Sequence, residues 1–222
     1  LRSSFGASKL VRQLREGIPE AMGSPGMDFA ERLSLWLSAF DAIGLHSAHQ
    51  AIRSLEPPGA GRAAVARAVD PADLAEPVQR VRSVLATAIA QDPLAQAVTA
   101  PINESTYLPY QQRHLELHRQ MEQMVGALRD QVRQTLCRVS TPLRRLAVLD
   151  AALEQVIALR EQATLPTAVT LLKRRFEQLR AAEADPDVFA REWRAALLAE
   201  MELRLEPVMG LIEALNNESK NR

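Results

Sequence analysis

An all-α fold, a long-helix antiparallel bundle with a smaller N-terminal helical unit, follows from three features of the sequence. Apolar residues recur at three- and four-residue steps over long stretches. No segment alternates apolar and polar residues between turns, so no strand is expected. The breaks fall at proline-containing caps. The clearest stripe is His114, His118, Met121, Val125, Leu128, Val132, Thr135 and Val139, on a helix beginning near Pro109. At about 1.5 Å per residue this helix is roughly 45 Å long, and only other long helices can bury its stripe.

The chain before this axis is more broken. Residues 3–15 read as a short helix capped by Ser3 or Ser4, with Leu10, Val11 and Leu14 inward, ended by Gly17-Ile18-Pro19. After a Gly/Pro loop, Asp28 opens an amphipathic helix carrying Phe29, Leu33, Trp36, Leu37 and Phe40; 41–55 continues it, bent near Gly44. Residues 1–56 therefore form the N-terminal unit, 57–70 a Pro/Gly-rich connector, 71–103 short helices, and 104–222 the bundle. Within 71–103, Pro77 is expected to interrupt, leaving a helix from Val78 to Ala90 with Val81, Val84, Leu85 and Ile89 inward. Asp92-Pro93 caps another short turn.

Beyond the axis, Ser140-Thr141-Pro142 predicts a sharp stop and restart, with Thr141 as N-cap and an antiparallel neighbour to follow. That neighbour carries Leu146, Leu149, Leu153, Val156 and Arg160 as its inward stripe. A third helix starts near Leu165-Pro166 with Val169, Leu172, Phe176 and Leu179. Asp185-Pro186 caps the last, which buries Phe189, Trp193, Leu197, Met201, Leu205, Val208, Ile212 and Leu215. Pro207 is expected to kink or break it, and the tail NNESKNR to fray.

Composition excludes several classes. The 27 basic and 27 acidic residues cancel, which argues against a dedicated nucleic-acid binder. The basic residues are nearly all Arg, with Lys only at Lys9, Lys173 and Lys220. A single cysteine, Cys137, excludes an internal disulfide and reads as a small packed residue. No run is apolar enough to span a membrane, and no Gly-rich phosphate loop is present. The chain begins at Leu1, so a targeting segment upstream is left open, and the expected location is cytoplasmic.

For chemistry, His114 and His118 are the sharpest feature. Four residues apart, two imidazoles on one helical face can hold a divalent metal. The intervening text is Leu115-Glu116-Leu117, not the order of a zincin, and Glu116 points away from the pair. The favoured reading is two polar residues at the end of a packed stripe, with no metal and no cofactor. His46 and His49, three apart on a separate helix, read the same way. Acidic Glu183, Asp185 and Asp187 sit at a helix start, where capping explains them. No nucleophile elbow or Cys–His signature appears, so a non-enzyme is expected. The basic runs Arg144-Arg145 and Lys173-Arg174-Arg175 share helices with Glu154, Glu161 and Glu177, predicting a solvated, salt-bridged face.

The stretches LRSSFGASKLVRQL, DFAERLSLWLSAFDAI and YQQRHLELHRQMEQMVGALRDQVR, with LAVLDAALEQVIALRE and LLKRRFEQLR after them, resemble an uncharacterised proteobacterial family of unknown function. The resemblance covers most of the chain and implies no activity and no site residues. It implies an association with an OmpA/MotB-like or coiled-coil membrane protein, through which the chain would be peripheral to the inner membrane. The sequence is thus read as a non-enzymatic interaction or assembly protein, an accessory of a membrane-anchored envelope or ion-driven motor-type complex. Its partners are proteins or a further copy of itself, not nucleic acid and not the bilayer interior, and Phe29, Leu33, Trp36 and Phe40 are its candidate partner-binding face. Two other readings are a regulatory or weakly nucleic-acid-associated helical protein and a helical metalloprotein using His114 and His118.

Overall fold

The computed structural model describes residues 39–55, 72–96 and 107–220. Their elements, in order, are α1 (Ala39–Ser54), α2 (Ala72–Ala90), a 3-10 turn (Pro93–Ala95), α3 (Leu108–Val139), α4 (Thr141–Ala181) and α5 (Pro186–Lys220). No strand occurs among the described residues, and the fold is all-α. The expected boundaries at 56, 70 and 103, and the helices expected over 3–15 and 28–38, lie outside them.

The described residues divide between two compact units. The first takes 77–96, 107–127 and 165–206; the second takes 39–55, 72–76, 128–164 and 207–220. Each of α3, α4 and α5 lends a segment to both.

The first unit is organised by rings. Tyr110 of α3 meets Phe189 and Trp193 of α5 edge to face, with centroids 4.9 and 5.3 Å apart, and Phe176 of α4 meets Phe189 at 5.0 Å. Edge-to-face contact places the positive rim of one ring on the negative face of the next, adding to the area that is buried. The Tyr107 hydroxyl donates to the Val169 carbonyl at 3.0 Å. Burial pushes this phenol up to about 12, so it stays protonated and a donor. Below the rings, Leu117, Met121 and Val125 of α3 and Leu197, Met201 and Leu205 of α5 are buried, as are Val78, Leu85 and Ile89 of α2. Asp92 caps the 3-10 turn by accepting from the Leu94 amide, and its other oxygen takes the Arg113 guanidinium.

Between α4 and α5 the chain turns in four residues. The Ala184 amide donates to the Leu179 carbonyl and the Glu183 amide to that of Arg180, the paired bonds of a Schellman cap. Glu183 sits at φ 50°, the left-handed region. A Cβ is disfavoured there, so Glu183→Gly is expected to stabilise the protein by roughly 0.5–1 kcal/mol, read as a higher urea midpoint.

In the second unit only Ser140 separates α3 from α4, and the two run antiparallel. Ser140, not Thr141, is the cap: its hydroxyl accepts from the Leu143 amide. Leu128, Val132 and Leu136 of α3, Leu143 and Ala147 of α4, and Val208, Leu211, Ile212 and Leu215 of α5 are buried.

Several expected breaks are absent. α2 runs through Pro77, which lies near its start and removes one backbone bond while buried Leu74 and Val78 flank it. α4 is continuous across the start expected at Leu165-Pro166. α5 continues through Pro207, with buried Leu205 and Val208 on either side, and its tail is helical to Lys220, anchored by buried Leu215. Burial on both sides of a proline offsets a cost of about 3 kcal/mol. Val84, expected inward, is exposed.

Candidate functional site

Three arrangements carry polar chemistry or unfilled apolar surface. The first lies in the first unit and contains both expected histidines. α3 places His114 and His118 one turn apart, both buried. Spacing does not say what faces them; the structure brings Glu200 and Arg204, one turn apart on α5. His118 Nδ1 is 2.8 Å from Glu200 Oε1, and the Arg204 Nε–H donates to the same oxygen at 3.0 Å. Arg204 Nη2 also lies 3.2 Å from His118 Nδ1. That nitrogen cannot donate to the carboxylate and accept from the guanidinium at once. The ionised carboxylate is the stronger acceptor, so it takes the imidazole N–H. Glu116 is exposed and bonds Arg113, pointing away from the pair as expected.

His118, Glu200 and Arg204 thus form one hydrogen-bonded cluster, with the imidazole and the guanidinium on the same carboxylate oxygen. His114 has a buried Nδ1 with no hydrogen-bond partner among the described residues.

The cluster dictates a pH response. Burial lowers the His114 pKa below its ordinary 6.5; Glu200 opposes this, and His118 and Arg204 add to it. Burial pushes the Glu200 carboxyl up, but the His118 bond and the Arg204 charge outweigh it, and the net displacement is downward from 4.5. Unfolded His114 takes up a proton as pH falls through 6.5, before the folded imidazole does, so stability falls from there down to the folded pKa. Glu200 stabilises above 4.5 and loses this as pH drops through its own lowered value. Urea unfolding at pH 7.5, 6.5 and 5.5 is expected to show progressive weakening, and His114→Asn to flatten it; an equal slope in the variant would remove His114 as the cause.

The second arrangement is an ion network in the second unit. Arg129 holds Asp150 in a two-pronged contact at 2.8 and 2.6 Å. Arg133 reaches the same carboxylate at 3.0 Å and Glu154 at 2.6 Å, and it also bonds Asp130. Two residues of α3 and two of α4 thus lock the register of the hairpin. Beside them, Cys137 is half-buried and lines a groove of about 540 Å³ with Asp130, Arg133, Arg138, Ala147 and Ala151.

The third arrangement overturns an expectation. Of the expected stripe Leu146, Leu149, Leu153, Val156 and Arg160, none of the described side chains is fully buried. Leu149 and Leu153 are 40% and 36% exposed, and Ile157 beside them is 55% exposed. Leu146 and Val156 are half-buried. α4 instead buries Leu143, Ala147 and Asp150, a face about a third of a turn away, because Asp150 must meet Arg129 and Arg133. The outward residues keep the three–four–three spacing of a coiled-coil seam.

Most of the other expected partner face falls elsewhere in the chain. Phe29, Leu33 and Trp36 lie outside the described residues, and of Phe40 only the backbone is placed, in the first turn of α1. The salt-bridged face expected of the basic runs is half right. Lys173 pairs with Glu177, and Arg175 bonds Glu192 through both nitrogens at 2.8 and 2.6 Å. Arg144 and Arg145 pair with no acid among the described residues; they donate to the carbonyls of Cys137 and Leu55.

These features define an all-α protein whose helices are joined by internal ion networks and whose long fourth helix leaves an aliphatic seam outward. The chain belongs to the family described as "protein of unknown function (DUF3348)", whose model matches residues 1–217. Neither curated proteins nor solved structures gave a match. No helix among the described residues is long and apolar enough to cross a membrane.

Proposed function

We propose that this protein is a non-enzymatic interaction protein that receives a helix of another protein on the outward seam of α4. The observation carrying this reading is the stripe Leu146, Leu149, Leu153 and Val156 at coiled-coil spacing, with Leu149, Leu153 and the neighbouring Ile157 exposed and Leu146 and Val156 half-buried. A 3.5-residue repeat is matched by one occupant, a second helix crossing at a shallow angle so that its side chains enter the holes of this one. Isolated exposed leucines are ordinary; a row of them in register on one helix marks a contact surface. Arg204, hydrogen-bonded to Glu200 beside His118, weighs against the metalloprotein reading.

An accessory role in a membrane-anchored envelope or ion-driven motor-type complex, which the family resemblance implies, is compatible with this reading. The chain would then be cytoplasmic and held at the inner membrane by its partner. The test is a Leu149→Gln/Leu153→Gln variant. Because both residues are only partly exposed, at 40% and 36%, its stability is expected to fall by about 1–2 kcal/mol with the helical spectrum retained. Capture of a stoichiometric membrane subunit from detergent-solubilised native cells is expected to be lost. Unchanged capture by a folded variant would end the proposal.

A further inference from the structure

The partner's chemistry can be narrowed further, on the reading that the α4 seam receives a helix. From Val132 to Leu149 the chain carries Arg133, Arg138, Arg144 and Arg145 and no acid. Asp130, Asp150 and Glu154, the nearest acids on either side, are taken by Arg129 and Arg133. Arg138, Arg144 and Arg145 are exposed and make no ion pair among the described residues. Arg144 and Arg145 also stand in the first turn of α4, where the helix dipole is positive and arginine is disfavoured. Their guanidiniums donate to the carbonyls of Cys137, near the end of α3, and Leu55, just past α1, but no acid among the described residues neutralises them.

Their position relates them to the seam. In the heptad that places Leu146 and Leu153 at one core position and Leu149 and Val156 at the other, Arg145 falls at the flanking position just before Leu146. Flanking charges in such helix pairs set partner choice and orientation. The opposite flank bears Asp150, already buried in its network, and Ile157. Among the described side chains, the exposed edge of the seam therefore has one sign of charge, at Arg145.

We infer that the occupant of this seam is an amphipathic helix with aliphatic core positions and acidic residues at the end that meets Arg145, with Arg144 and Arg138 adding to the field. An acidic end lying there would supply the countercharge the chain lacks, and a basic end would be repelled.

The experiment uses the full chain and two fluorescent 21-residue synthetic helices with identical leucine-and-valine core positions. One carries glutamates along the flanks of its terminal turns, the other lysines. Anisotropy at low salt is expected to show the glutamate helix binding at least about tenfold more tightly. Arg144→Glu/Arg145→Glu is expected to reverse that order, with the helical spectrum unchanged, and added salt to shrink the difference. Equal binding of the two peptides, or preference for the lysine one, overturns the charge inference and leaves the seam reading standing. Failure of both to bind, or binding indifferent to Leu149→Gln/Leu153→Gln, removes the seam reading itself. Phosphatidylglycerol vesicles provide the contrasting arm. Sedimentation with them that is lost in the double arginine variant, with neither peptide bound, would assign the arginines to a lipid surface and overturn the proposal.

Discussion

Asp150→Ala is expected to destabilise the protein by about 3–5 kcal/mol, read from urea unfolding followed by circular dichroism. The reason lies in what the substitution leaves behind. Asp150 is buried and accepts bonds from Arg129 at 2.8 and 2.6 Å and from Arg133 at 3.0 Å. Removing the carboxylate strands a buried Arg129 with only Glu154, 3.4 Å from its Nη1, as countercharge. The desolvation cost of the guanidinium remains while the attraction that offset it has gone. Replacing the whole set is a different experiment. Arg129→Met/Arg133→Met/Asp150→Leu removes every buried charge at once, except Glu154, whose side chain is partly solvated. It is expected to unfold within roughly 2 kcal/mol of the parent. A single variant no less stable than the triple one would show that the network contributes nothing. The function of the network is then specificity: it selects which face of α4 turns inward.

Trp193→Ala is expected to cost about 3–5 kcal/mol. Trp193 is fully buried against Tyr110, and the same ring cluster includes Phe176 and Phe189. Truncation removes the largest side chain of the first unit's core, and the rigid rings around it cannot collapse into the space. Trp193→Phe provides the contrast. The indole Nε1 is buried without a hydrogen-bond partner, so its loss leaves no acceptor unsatisfied and removes an unmet donor. That variant is expected to cost only about 1 kcal/mol, from volume alone. If Phe and Ala are equally damaging, the indole nitrogen has a partner and the packing account is wrong.

Much of the architecture was legible because long stripes buried along their whole length leave a strong period. Phe189, Trp193, Leu197, Met201, Leu205, Val208, Ile212 and Leu215 are all buried in α5, as read from spacing. Along α3, His114, His118, Met121, Val125, Leu128 and Val132 are buried too, but Thr135 and Val139 are only half-buried, and the stripe missed Tyr110, Leu117, Arg129 and Leu136. The caps at Asp92 and Asp185 were equally readable, since a short acceptor side chain before proline has few other uses. The prolines misled: propensity describes an isolated helix, and packing around Pro77 and Pro207 outweighs it.

The sequence by itself determined that this protein is helical, that its long helices turn at Ser140 and before Pro186, and which faces of α3 and α5 are core. Those properties are local, set by spacing and capping within a few residues. Only the tertiary structure decided that α4 turns Asp150 inward and its leucine seam outward, and that His118 meets a glutamate 82 residues away with an arginine closing the pair. Periodicity shows that a helix has an apolar face but not which neighbour covers it. The choice between two usable faces of α4 rests on buried charges, whose cost when unpaired exceeds that of leaving leucines in water.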